Sequence, residues 1–110
     1  MSVGDKRLID LVRGLTSIRP EEREASCGTV TDWVASFDVR EVGLVATLLA
    51  SAAAQERIPA CRESQLHALV ELVDTGFVLS VHTAPLWQVD REELGISEVE
   101  HLDYLSGELQ

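Results

Sequence analysis

"DVREVGLVATLLASAAAQ", residues 38–55, is the stretch whose reading decides the fold. Its first four residues form a capping-box pattern. Asp38 stands at the cap and Glu41 three residues on, so each side chain can accept a backbone N–H that the first helical turn leaves unpaired. The run that follows, "VGLVATLLASAAAQ" (42–55), has fourteen residues without a charge and is apolar almost all the way round a helical wheel. A helix of that kind belongs at the centre of a domain, with neighbours on several sides. It is too short to span a bilayer and reads as a buried helix.

The neighbours can be found on either side of it. Residues 5–18 place Leu8, Ile9, Leu11, Val12, Leu15 and Ile18 at helical spacing, with Asp5, Lys6, Asp10 and Arg13 opposite. Pro20 followed by Glu21 and Glu22 opens a second helix, because proline suits the first turn and carboxylates suit its positive end. It continues through Val30, Trp33, Val34 and Phe37, with Gly28 a weak point. After Pro59 a helix is expected from about Ala60 to Thr75, ending at Gly76. Its Leu66, Leu69, Val70, Leu72 and Val73 cover nearly half the wheel, which calls for packing on two sides. The segment "FVLSVHTAPLWQV" (77–89) has the β-branched content of a strand, but between helices a short helix around Pro85 is favoured. "SEVEHLDYLSGEL" (97–109) opens on a second capping-box pattern, Ser97 with Glu100, and offers Val99, Leu102 and Leu105 for burial.

One all-α domain over residues 1–110 follows, made of about six short antiparallel helices in a compact HEAT-like or irregular helical bundle. Two pairs, 20–37 with 38–57 and 60–75 with 78–89, lie about forty residues apart, the spacing of a HEAT-like stack. A chain of this length buries enough surface to fold without disulfides or metal. Cys27 and Cys61 lack any CxxC or Cys/His ligand spacing and are expected to be reduced thiols of a cytoplasmic protein. The opening "MSVGDKRLIDLVRGL" lacks a basic stretch followed by an uninterrupted apolar run, so no secretory signal is expected.

Charge is unevenly placed. Residues 1–62 carry eight basic and nine acidic side chains, whereas residues 63–110 carry ten acidic ones against the single Arg91. The second half therefore projects a negative field. Nucleic acid and anionic membranes are poor partners for it, and a basic protein is a good one.

Within that half, Glu63, His67 and Glu71 fall at i, i+4 and i+8 along one side of a helix, with Asp74 on the same arc. Such a stripe could ligate a metal with help from His101 or Asp103, or act as an acid/base pair. It is not the HExxH arrangement, in which two histidines on one turn hold zinc, and no third strong ligand stands near it in sequence. No nucleophile elbow, phosphate loop or dinucleotide fingerprint is present. His82 reads as a partly buried, hydrogen-bonded histidine and Trp33 as a core residue. Catalysis, cofactors and metal are not expected. The expectation is instead an acidic binding surface of Glu63, His67, Glu71, Asp74, Asp90, Glu92, Glu93 and Asp103, with Trp87 and Tyr104 as aromatic anchors. A small metal-dependent or acid/base enzyme using Glu63, His67 and Glu71 is the alternative.

The stretch "ESQLHALVEL" (63–72), in a short acidic helical chain, resembles small helical immunity proteins of bacterial polymorphic-toxin systems, over about residues 32–75. The resemblance implies a non-catalytic protein that binds a toxin domain and blocks it. Nuclease toxins are commonly basic, and an acidic face would steer them in and compete with nucleic acid.

Overall fold

The computed structural model describes residues 1–109. Five α-helices follow one another: α1 (Asp5–Leu15), α2 (Pro20–Trp33), α3 (Val39–Gln55), α4 (Pro59–Val73) and α5 (Ile96–Leu109). Between α4 and α5 the chain forms a nine-residue 3-10 helix, Ser80–Gln88, and a short 3-10 turn, Arg91–Glu93; another such turn, Val34–Ser36, follows α2. No strand occurs among the described residues.

The capping box at the head of α3 is present in both directions. The Glu41 N–H donates to Asp38 at 2.7 Å and the Asp38 N–H donates to Glu41 at 2.9 Å. Glu41 does more than close its own helix. It is fully buried and also accepts from the Ser2 hydroxyl at 2.8 Å and from the Val3 and Gly4 N–H groups, both at 3.2 Å. A buried carboxylate must be paired or well hydrogen-bonded, and here four donors from two parts of the chain do it. The segment ahead of α1 is thereby tied to the start of α3.

α3 is the central helix. Val42, Val45, Ala46, Leu49 and Ala50 have no exposed surface, and α1, α4 and the Ser80–Gln88 helix pack on three of its sides. α4 is the second hub, lying against α2, α3 and α5. Three neighbours rather than two explain why Leu66, Leu69 and Leu72 are all buried on a helix whose apolar arc is broad. Of the two bundle forms, the packing is the irregular one. Consecutive α2 and α3 barely touch, and α2 lies on α1 and α4 instead.

Local boundaries differ from the sequence expectation: α4 runs from Pro59 to Val73 rather than from Ala60 to Thr75, and three further differences have a clear cause. α1 stops at Leu15, and Ile18 is 93% exposed in the turn to Pro20. The residue before a proline is driven out of the helical region, and Arg19 is extended, so the turn cannot carry Ile18 inward. The α-helical part of α2 ends at Trp33, and Phe37 reaches the core through the 3-10 turn. Third, α5 begins at Ile96, so Ser97 lies inside its first turn. Gly95 takes the capping position: its carbonyl accepts from the Val99 N–H at 3.0 Å, and its own N–H donates to Glu98 at 2.6 Å.

Glu98 is drawn to that place by Arg62. The two side chains, 9% and 5% exposed, form an ion pair through Arg62 Nε and Glu98 Oε1. Arg62 also donates to the Glu56 carbonyl at 3.1 Å and the Glu93 carbonyl at 3.2 Å. Nearby, Arg23 grips Glu56 with two bonds of 2.8 Å, and Gln65 adds a third donor at 2.9 Å. This polar cluster joins α2, the α3–α4 turn, α4, the Arg91–Glu93 turn and α5.

Two outcomes test this account. Glu98→Ala should destabilise the protein by about 3–5 kcal/mol, because it leaves a buried guanidinium unpaired, whereas Arg62→Met with Glu98→Leu should cost less than that single change. Chemical denaturation of the three proteins checks it. The second concerns acid. Burial opposes ionisation of Glu41, Glu56 and Glu98, but hydrogen bonds from Asp38, Ser2, Val3 and Gly4, from Arg23, Ile58 and Gln65, and from Arg62 and Gly95 overcome it. All three carboxyls are held below the ordinary 4.5. Lowered folded values stabilise the protein above the unfolded value and are lost as pH falls through them. Thermal melts should therefore be flat above about pH 5 and fall progressively below 4.5. A melting temperature unchanged down to pH 3 would contradict it.

Candidate functional site

The acidic stripe lies where α4 meets α5. Helical spacing brings Glu63, His67, Glu71 and Asp74 to the outer side of α4, and the packing of α5 sets His101 and Tyr104 against them. Glu63 Oε1 lies 3.0 Å from His101 Nε2, and the Tyr104 hydroxyl donates to Asp74 at 2.5 Å. His67 Nε2 stands 3.8 Å from Glu71, and the rings of His67 and His101 are 5.5 Å apart and tilted by 54°. Tyr104 is bound tightly enough to matter for its acidity. The bond to the Asp74 carboxylate, with burial adding to it, pushes its phenol up to about 12.

The other expected residues lie on α5 and in the segment that precedes it. Asp103 pairs with Arg91, and both side chains are more than half exposed. Asp90 caps the Arg91–Glu93 turn by accepting from the Glu92 N–H at 3.0 Å, and Glu92 and Glu93 are exposed. Trp87 departs from the picture of a free anchor: it is half-buried and packs on the core, as Trp33 does. Tyr104, 43% exposed, is the aromatic edge available on this face. The sequence pattern proposed the stripe, and the tertiary fold adds its cross-helix partners. The sequence offers His101 only as a metal ligand, whereas in the fold it contacts Glu63.

Between α2 and α4 lies a shallow cleft of about 270 Å³ bordered by Glu24, Cys27, Glu63 and His67. A thiol, an imidazole and a carboxylate so close invite a nucleophilic reading, but the thiol's surroundings work against it. Cys27 is 2% exposed, and burial, with Cys61 and glutamates adding, pushes it up to about 12. Cys61 is raised too, burial first and Glu56 second, and its thiol donates to the Pro20 carbonyl at 3.2 Å. Catalytic thiols need the opposite, a basic and accessible setting. Among the described residues no three His, Cys, Asp or Glu side chains are grouped so as to hold a metal ion.

A second surface escaped the sequence reading. On the side of α3 away from α4, a trough of about 870 Å³ is floored by Gly43, Leu44 and Thr47 and walled by Phe77, Leu79 and His82. Phe77, Leu79 and Val81 are 45%, 61% and 70% exposed, while Val78 between them is buried. His82 has the expected character: half-buried, its Nδ1 accepting from the Leu79 N–H at 3.0 Å. Its ring lies over Gly43, where a Cβ would come within 3.1 Å of it. An alanine at 43 would require the imidazole to give way by a few tenths of an ångström.

No family model, no curated protein and no solved structure matches this chain. No helix among the described residues is long and apolar enough to cross a membrane.

The thiol chemistry can be checked directly. With Cys27 near 12, its thiolate fraction at pH 8 is roughly a thousandfold smaller than that of free cysteine. Titration with a disulfide reagent at pH 8 should find both thiols slow in the native protein and fast in denaturant. A rapid native thiol would restore the nucleophilic reading.

Proposed function

We propose that the protein is a non-catalytic binding module whose α4–α5 face engages a basic protein partner, in the concrete case the toxin domain neutralised by a small immunity protein. The observation that supports it is the number of carboxylates carried by two helices in contact and by the turn between them. Glu63 and Asp74 of α4 meet His101 and Tyr104 of α5, and Asp103 of α5 pairs with Arg91 of the turn that also carries Asp90, Glu92 and Glu93. The residues 63–110 supply a single guanidinium, Arg91, and Asp103 already occupies it. Like charges on adjacent turns repel by a few tenths of a kcal/mol per pair, and no lysine relieves them, since Lys6 is the chain's only one.

The internal contacts shape this face rather than neutralise it. Tyr104 and His101 hold Asp74 and Glu63 in fixed directions, which lowers the entropy lost when a cationic partner arrives. A field of one sign over such a surface raises the association rate with a cationic protein and gives nucleic acid nothing to bind.

The test uses the protein as bait in a pull-down from its native host, beside the variant Glu71→Lys with Asp74→Lys. Both positions lie outside the core, and neither side chain holds a buried partner. A basic protein retained by the wild type should be lost by the variant, with affinity at low salt falling about tenfold or more and most of the loss in the association rate. Added salt should weaken the wild-type complex in the same way. A partner held equally by both proteins, or one without basic character, would remove this face from the function.

A further inference from the structure

α3 is nearly all apolar, yet its neighbours leave one stripe of it open. Val39 is 57% and Leu44 40% exposed, and the trough beside them meets a second one of about 620 Å³. The two share Leu48 and Ser51 and so form one groove along the helix. Phe77 and Leu79 wall one end, and Ile18 and Ile58, 93% and 41% exposed, border the other. Single exposed apolar residues are ordinary, but a contiguous run of them marks an interaction site.

We infer that this groove receives an acidic amphipathic helix of a partner protein. The inference is independent of the α4–α5 face. Length is the first argument. α3 has seventeen residues, which at 1.5 Å each makes a track of about 25 Å, enough for a partner helix of about four turns. Shape is the second. Gly43, Thr47, Ser51 and Ala52 keep the floor low between the ridges of Leu44 and Leu48, so a second helix can approach to the 8–10 Å typical of packed helices.

Charge identifies the occupant. The charged groups bordering the groove are Arg40, Arg23, Glu56 and Arg57. Arg23 and Glu56 satisfy each other, which leaves Arg40 near the Phe77 end and Arg57 near the Ile58 end, with only uncharged residues between. Arg57 is exposed and has no ion-pair partner among the described residues. Arg40 touches Asp5 at 3.3 Å, but both side chains are largely exposed, 64% and 81%, and pairs of that kind contribute little and are readily exchanged. In a chain of net charge −10, two available guanidinium groups flanking an apolar track select a helix with an apolar stripe and carboxylates towards its ends. A basic helix would meet like charge at both ends.

The probe is a capped synthetic peptide of about 15 residues, held helical by a side-chain staple, with leucines at i, i+4 and i+7 on one face and glutamates near both ends. Its control carries lysines in place of the glutamates. Titrated into nitrogen-15-labelled protein, the acidic peptide should bind saturably and shift the amides of Leu44, Thr47, Leu48, Ser51 and Phe77. The lysine control should bind at least about tenfold more weakly. Leu44→Asp, an exposed site that should leave the helical spectrum intact, should weaken the acidic peptide about tenfold or more, and Arg40→Glu with Arg57→Glu should reverse the preference between the peptides. Absence of saturable binding, equal affinity for both peptides, shifts confined to α4 and α5, or indifference to Leu44→Asp would each overturn the inference. Sedimentation supplies the last arm: self-association abolished by Leu44→Asp would give the groove to a second copy of the chain and overturn it likewise.

Discussion

A guanidinium cannot be buried without full accounting for its charge and its N–H groups, and Arg62 is buried. Its partners are the Glu98 carboxylate and the carbonyls of Glu56 and Glu93, which come from three separate parts of the chain. The α3–α4 turn, the Arg91–Glu93 turn and the start of α5 must therefore all meet at one point on α4. Glu56 extends the requirement to α2, since Arg23 binds both its oxygens. Hydrophobic burial is non-directional and would accept several packings of these helices. The polar cluster distinguishes among them, because each alternative leaves a charge stranded.

The same constraint divides the surface. Glu98 is the one carboxylate of the acidic half drawn fully inside, and Glu63 and Asp74 stay at the α4–α5 surface, where His101 and Tyr104 orient them. Most arginines lie in the first half, and two of them flank the α3 groove. The result is a small protein with two faces of opposite character, one charged and shaped by hydrogen bonds, the other apolar with cationic ends. Gly43 matters to the second face because its missing Cβ lets the His82 ring settle on α3 and brings the outward-facing Phe77–Val81 stretch alongside.

Local signals in the chain were read well where local physics decides them. The Asp38–Glu41 box, Pro20 in the first turn of α2, and the turn at Gly76, with φ of 81°, all occur as their chemistry requires, whereas Pro59, expected to precede its helix, is itself the first residue of α4. The central place of α3 was legible from its uncharged run. What could not be read were the choices made across the fold. Ser97 with Glu100 is as good a capping pattern as any, but the pair at Arg62 outweighs a cap worth about 1 kcal/mol and moves the start of α5 to Ile96. Glu41 was legible as a cap and not as the anchor of residues 2–4, because its additional donors lie 37–39 positions away. The stripe on α4 was nominated from spacing alone, whereas its pairing with His101 and Tyr104 depends on the docking of α5. The groove was hidden because an apolar helix announces that it needs covering and not that one side stays open.

The Ser80–Gln88 helix closes one side of the core over α3, and it does so in 3-10 geometry with Pro85 inside it. Bonds of that type are poorer than α-helical ones, and a proline removes one donor from the series. Thr83 and Leu86 are the two residues it buries completely, and Trp87 on the core and the His82 ring over Gly43 add to its attachment. Amide exchange across such a protein is not uniform: segments with weak backbone bonding and few buried anchors open at a lower free energy than the whole. On backbone bonding alone, the cover over α3 is the segment expected to open first, taking with it the wall that carries His82 and Leu79. The cross-section of the α3 channel is then an equilibrium quantity, set by how often that cover lifts while α3, α4 and their polar cluster remain folded beneath it.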